Sequence, residues 1–309
     1  ILALALEKWG VHHQIASRIL SVMGSSKSKI LLGFGLSSYL LSMWISNTAT
    51  TLMMLPMALS IIQTQKESES SNRFSLLLML TVAYAASVGG MATLVGSPPN
   101  TQMAGTLSAS FDIQISFWQW MKIGLPVSLI IFTVLNIFFQ IILGSQRNDE
   151  VVINLNQSKW TIPQKRVLII FGLVILIWVT RGLIVDYSGI SFKDSSVAIL
   201  GAIMLFIIPS KDSDEKLLIW HDTIKIPWGI LVLFGGGIAL ASSLEKSHVL
   251  ELIFQSANSI STWDYFYLLL LVIFISIFAT ELMSNLALVS VLVPIIAMLA
   301  MGMGLSALS

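Results

Sequence analysis

Of the 309 residues, 55% are hydrophobic and only 11% charged, and 17 Lys and Arg nearly balance 16 Asp and Glu. A soluble domain carries about 25% charged residues, so this composition, with a mean hydropathy of +0.85, excludes a soluble enzyme and indicates an all-α integral membrane protein. The net charge of +1 offers no basic patch for a nucleic acid, and the absence of cysteine rules out disulfides and thiolate metal sites.

Residues 1–9 end an apolar segment. Their Leu2, Ala3, Leu6, Glu7 and Lys8 recur as Leu240, Ala241, Leu244, Glu245 and Lys246, an offset of 238 positions. The chain begins without Met, and its opening matches only the end of the run from 226 to 244. Both features lead us to expect a chain shortened at its ends. From Val11 to Gly24, apolar Ile15, Ile19, Leu20 and Met23 alternate with His12, His13, Gln14 and Arg18 at helical spacing. This predicts an amphipathic helix lying at the membrane interface, with a counterpart at 249–260.

No charged residue occurs between Lys29 and Lys66. A straight helix over 30–63 would be about 50 Å long against a hydrocarbon core of about 30 Å. Basic residues flank both ends, so both ends are expected on the cytoplasmic side. A re-entrant helical hairpin with Ser46-Asn47-Thr48 at its tip meets these constraints; two short complete spans are the alternative. Residues 74–107 are also uncharged and contain Gly89-Gly90 and Gly96-Ser97-Pro98-Pro99-Asn100. Adjacent prolines remove amide donors and obstruct the preceding turn, so a broken helix is predicted.

Ordinary spans are expected over about 122–147, 167–186, 195–209 and 226–245. Arg147, Lys159, Lys165, Arg166, Lys211, Lys216 and Lys225 all fall on the side assigned as inside. From Tyr265 onward, an apolar stretch interrupted only by Glu281 carries Ser284-Asn285-Leu286 and Pro294, again 238 positions after Ser46, Asn47 and Pro56. Thr280 likewise takes the place of Ser42. Five crossings separate the two copies, an odd number, so the repeat is predicted to be inverted in topology.

Each tip groups a hydroxyl, a Ser and an Asn within a few residues. Such neutral oxygens, with carbonyls released at a helix break, suit a hard cation, while helix N-termini suit a carboxylate. The spans hold almost no Lys or Arg, Arg181 being the nearest candidate. A dianion would therefore need bound cations to offset its desolvation. Glu281 has a proton or cation role as one reading and a wet hairpin end as the other. Gly235-Gly236-Gly237 follows no strand and reads as close helix packing.

On Ser42-Met43-Trp44-Ile45-Ser46-Asn47-Thr48-Ala49-Thr50, Gly96-Ser97-Pro98-Pro99-Asn100 and Thr280-Glu281-Leu282-Met283-Ser284-Asn285, the chain resembles the divalent anion:sodium symporter family. The resemblance implies sodium-coupled transport of di- or tricarboxylates such as succinate, malate or citrate, an elevator-like movement and a homodimer in the inner membrane of a bacterium. It implies one sodium site at Ser42, Ser46, Asn47 and Gly96, another at Thr280 and Asn285, and carboxylate contacts from Asn47, Thr48, Ser97, Pro98 and Asn285. Residues 30–145 and 261–309 would form the transport domain, and 1–29 and 146–260 the scaffold. Leu286 replaces the hydroxyl residue that the family repeats, which leaves room for an exchanger or a carrier of sulfate. A second Pro-Pro loop would lie beyond Ser309, so the chain by itself is not expected to transport. A membrane receptor or scaffold without transport is the reading from another class.

Overall fold

The computed structural model describes residues 1–63, 69–151, 159–189, 192–210, 215–246 and 265–302. Among them the chain is helical, with two isolated bridges, Ser26 to Glu150 and Pro209 to Lys216, as its only strand-like pairings. The helices are α1 (Leu2–Lys8), α2 (Val11–Met23), α3 (Lys27–Ser42), α4 (Asn47–Gln63), α5 (Glu69–Met91), α6 (Pro98–Phe111), α7 (Phe117–Leu143), α8 (Ile162–Ser188), α9 (Asp194–Ile207), α10 (Trp228–Lys246), α11 (Tyr265–Leu282) and α12 (Asn285–Gly302).

Segments Asn72–Met91, Phe117–Asn148 and Ile162–Tyr187 are long and apolar enough to cross a membrane. On α7 the exposed Ile123, Ile130, Val134 and Ile141 lie at helical spacing, as do Ile169, Leu173, Leu176 and Leu183 on α8. Such stripes suit contact with acyl chains. Both helices start at reciprocal caps that satisfy end amides. Ser116 Oγ accepts from the Gln119 amide at 3.2 Å while Gln119 Oε1 accepts from the Ser116 amide at 2.8 Å, and Thr161 and Gln164 repeat the arrangement at 3.4 and 3.0 Å.

The chain divides into two compact units, one of residues 1–97 and 116–226 and the other of 98–115 and 227–309. In the first, Ile30, Leu31 and Phe34 of α3 pack on Leu77, Leu78 and Val82 of α5, with Leu20, Met54 and Phe139 closing the core. A second core joins Leu4, Leu6 and Val11 to Val167, Ile170, Leu205 and Leu217. Polar ties fix its edge: Lys8 Nζ lies 2.6 Å from Asp222 Oδ2, Trp9 Nε1 donates to the Leu217 carbonyl at 2.9 Å, and Gln164 Nε2 donates to the Trp9 carbonyl at 3.0 Å. In the second unit α6, α10 and α12 pack together. A Cβ at Gly237 would stand 2.5 Å from both Gln102 Nε2 and Ser290 Oγ, so helices pack closely at this glycine of the triplet, whereas Gly235 and Gly236 face open space.

The helix expected from Val11 onward is α2, and its counterpart at 249–260 lies outside the described residues. The uncharged stretch from 30 to 63 is two helices separated at 43–46. The 74–107 stretch is broken as predicted, but the break falls earlier than the prolines. Helix α5 runs unbroken through Gly89-Gly90 to Met91, residues 92–97 form the turn, and Pro98-Pro99 open α6. The first turn of a helix has no use for an amide donor, so proline is at home there.

The repeat is also visible in the helix boundaries. The start at Asn47 recurs 238 positions later at Asn285, and Pro56 and Pro294 each lie nine residues into the second helix of the pair. The first helix of the second pair runs two residues further, to Leu282, so its break is shorter.

Candidate functional site

Helix α3 stops after Ser42 because residues 43–46 leave the helical path. The Trp44 and Ile45 amides both bond to the Leu41 carbonyl at 3.0 Å. Ser46 then caps α4: its Oγ accepts from the Ala49 amide at 3.3 Å and its carbonyl from the Thr50 amide at 2.9 Å. Ser284 caps α12 in the same way, accepting from Ala287 at 3.2 Å and Leu288 at 3.0 Å. The two Ser-Asn pairs thus perform one local task, ending a helix break and starting a helix of 17 or 18 residues at the Asn.

Across the first break Ser42 Oγ donates to Asn47 Oδ1 at 2.8 Å. Ser42 is fully buried, Asn47 half-buried and Thr48 exposed. The turn after α5 closes on the same place. A Cβ at Gly90 would collide with the Asn47 side-chain oxygen, and one at Gly96 would stand 2.8 Å from the Ser42 and Gly90 carbonyls, so both positions require glycine. Thr93, buried and absent from the expectations drawn from the sequence, joins the two segments. Its hydroxyl donates to the Met43 carbonyl and accepts from the Gly96 amide at 3.0 Å. Ser42, Ser46, Asn47 and Gly96 are therefore brought together, while Ser97 sits half-buried at the end of the turn and Pro98 begins α6.

The second copy differs in detail. Thr280 Oγ1 donates to the Ile277 carbonyl of its own helix at 2.8 Å. Asn285 and Glu281 are exposed, whereas Leu286 is buried and its carbonyl accepts from Ser290 Oγ at 3.0 Å. Arg181, the cation nearest a span interior, donates to Asp194 Oδ1 at 3.1 Å. No cluster of three or more His, Asp or Glu side chains occurs among the described residues, so metal chemistry here would rest on neutral oxygens, the donor set of an alkali cation.

Two helix breaks with capped polar motifs, in a chain with three segments long and apolar enough to cross a bilayer, define a helical integral membrane protein with polar groups at its helix ends. The chain belongs to the citrate transporter family, whose pattern matches residues 1–309. It is 32% identical over 321 residues to the sodium-dependent dicarboxylate transporter SdcS of Staphylococcus saprophyticus, a match covering 97% of this chain and 62% of that one. It is 31% identical over 329 residues to SdcS of Staphylococcus aureus strain USA300, covering 98% and 62%. The chain thus spans 62% of the length of these curated relatives.

Proposed function

We propose that the full-length protein is a secondary active symporter that carries a small di- or tricarboxylate, of the succinate, malate or citrate type, together with sodium. The observation that carries this reading is the duplicated Ser-Asn break, each copy presenting hydroxyl and amide oxygens beside the start of a long helix. Helix N-termini favour anions and the neighbouring oxygens favour hard cations, so one place serves both ions. Sodium would bind at Ser42, Ser46, Asn47 and Gly96, and a second ion at Thr280 and Asn285. Asn47, Thr48, Ser97, Pro98 and Asn285 would meet the substrate carboxylates. The names of the two staphylococcal relatives, sodium-dependent dicarboxylate transporters, support the ion and the substrate class.

In this reading the helix pairs α3–α4 and α11–α12 are re-entrant hairpins of an inverted repeat. Residues 30–145 and 261–309 move as the transport domain against a dimeric scaffold in the cytoplasmic membrane of a bacterium. The buried Leu286 favours a second reading, a dicarboxylate exchanger or sulfate carrier, because the second copy lacks one carboxylate-binding hydroxyl. Succinate uptake by the full-length protein in proteoliposomes separates them, with sulfate and citrate as competitors. The symport reading expects uptake that collapses when choline replaces sodium. Uptake indifferent to sodium rejects it, and sulfate outcompeting succinate favours the second reading.

A further inference from the structure

Two residues before the first Ser-Asn pair, Trp44 lies within the turn and has no part in the proposed ligand set. Its indole meets Phe171 of α8 edge-on, with ring centroids 5.2 Å apart, and stacks on Phe117 of α7 at 5.9 Å. Phe117 in turn stacks on Trp178 of α8 at 4.7 Å. One residue pins the far end of this ladder. Asp194, opening α9, accepts the Phe117 amide at 2.7 Å and Arg181 Nη1 at 3.1 Å through its carboxylate, and Trp178 Nε1 at 2.9 Å through its carbonyl. Trp44 also packs against three of the hydrophobic clusters of its unit.

We propose that Trp44 is the positioning residue of the first cation site: Phe117 of α7, which belongs to the same moving part, and, while that part is docked as in this structure, Phe171 of α8 hold the 43–46 turn and so set where the Ser42, Ser46 and Asn47 oxygens stand. The proposal rests on the sodium reading above. None of the four ladder rings ligates a sodium ion, so their effect on one must pass through geometry. Met43 and Ile45 bury the turn on either side of Trp44, and the indole adds the aromatic contacts that tie it to α7 and α8. A cavity of about 150 Å³, lined by Leu6, Ile15, Leu40, Leu168, Phe171 and Trp44 itself, adjoins the ring. Truncating Trp44 enlarges that space and leaves the turn free to shift into it.

The test uses the full-length protein in proteoliposomes. It reads the sodium concentration for half-maximal succinate uptake separately from the maximal rate per inserted protein. Displacements of an ångström at a binding constellation cost an order of magnitude or more. Trp44→Leu should therefore raise the half-saturating sodium concentration about tenfold, and Trp44→Phe, which keeps a ring, should stay within about twofold. Phe171→Leu lies on another helix and is not itself a proposed ligand, yet should raise it about threefold; it carries the comparison if Trp44→Leu fails to insert. Variants that change only the inserted amount or the maximal rate, with sodium half-saturation as in the wild type, overturn the inference and leave symport standing. Sodium-independent uptake by the wild type overturns both.

Discussion

Ser42 and Asn47 are five positions apart, a spacing at which side chains on a continuous helix do not meet face to face. The 2.8 Å bond between them exists because the helix ends after Ser42 and restarts at Asn47. Glycine at 90 and 96 then lets the neighbouring turn approach, since any side chain at 90 would displace the Asn47 amide. Gly90→Ala should lower sodium-dependent uptake at least about tenfold while the protein still inserts. Gly105, which has open space around its Cβ direction, serves as the control: Gly105→Ala should leave uptake unchanged, because it only raises helix propensity. Equal uptake by both variants would show that the Asn47 position is not held from α5. If Ser42 is a sodium ligand as proposed, Ser42→Ala would remove one oxygen contact to the cation, worth about 1.5 kcal/mol or more, and should raise half-saturating sodium about tenfold.

At the level of elements, the break positions were legible in the sequence because they are punctuated. Long uncharged runs with a central polar triplet, and a Gly-Ser-Pro-Pro, leave a helix few options. The prolines misled only about which side of the break they occupy. Thr93 and the rings around Trp44 were not legible, since Thr93 bonds to a residue 50 positions away and the ladder joins residues over 70 positions apart. The docking of α1 and α2 likewise depends on distant partners, and it makes this edge sensitive to acid. Burial pushes the His12 imidazole down to about 4, His13 beside it adds to the effect, and the Leu6 carbonyl opposes it. The unfolded chain therefore binds a proton that the folded one refuses between about pH 6.5 and 4, and stability falls with pH across that window. The loss at pH 5 should be about 2 kcal/mol. Thermal unfolding of the wild type should drop more between pH 7 and 5 than that of His12→Gln; parallel decreases would remove His12 as the cause.

For the whole molecule, composition settled the membrane class, and the fixed 238-residue offset anticipated a second helix break with its restart at the matching Asn. The sequence did not reveal that the copies differ in hydrogen bonding, with Ser42 reaching Asn47 while Thr280 turns to its own helix. That asymmetry follows from packing: α5 and the 92–97 turn press on the first break. If bound cations lend the charge that holds a dianion at membrane depth, the two ligands must strengthen each other by the same factor. The most direct measurement is succinate binding to the purified full-length protein in sodium and in choline, paired with sodium binding with and without succinate. Sodium should tighten succinate at least about tenfold, and succinate should tighten sodium equally. Equal succinate affinity in sodium and choline would contradict it.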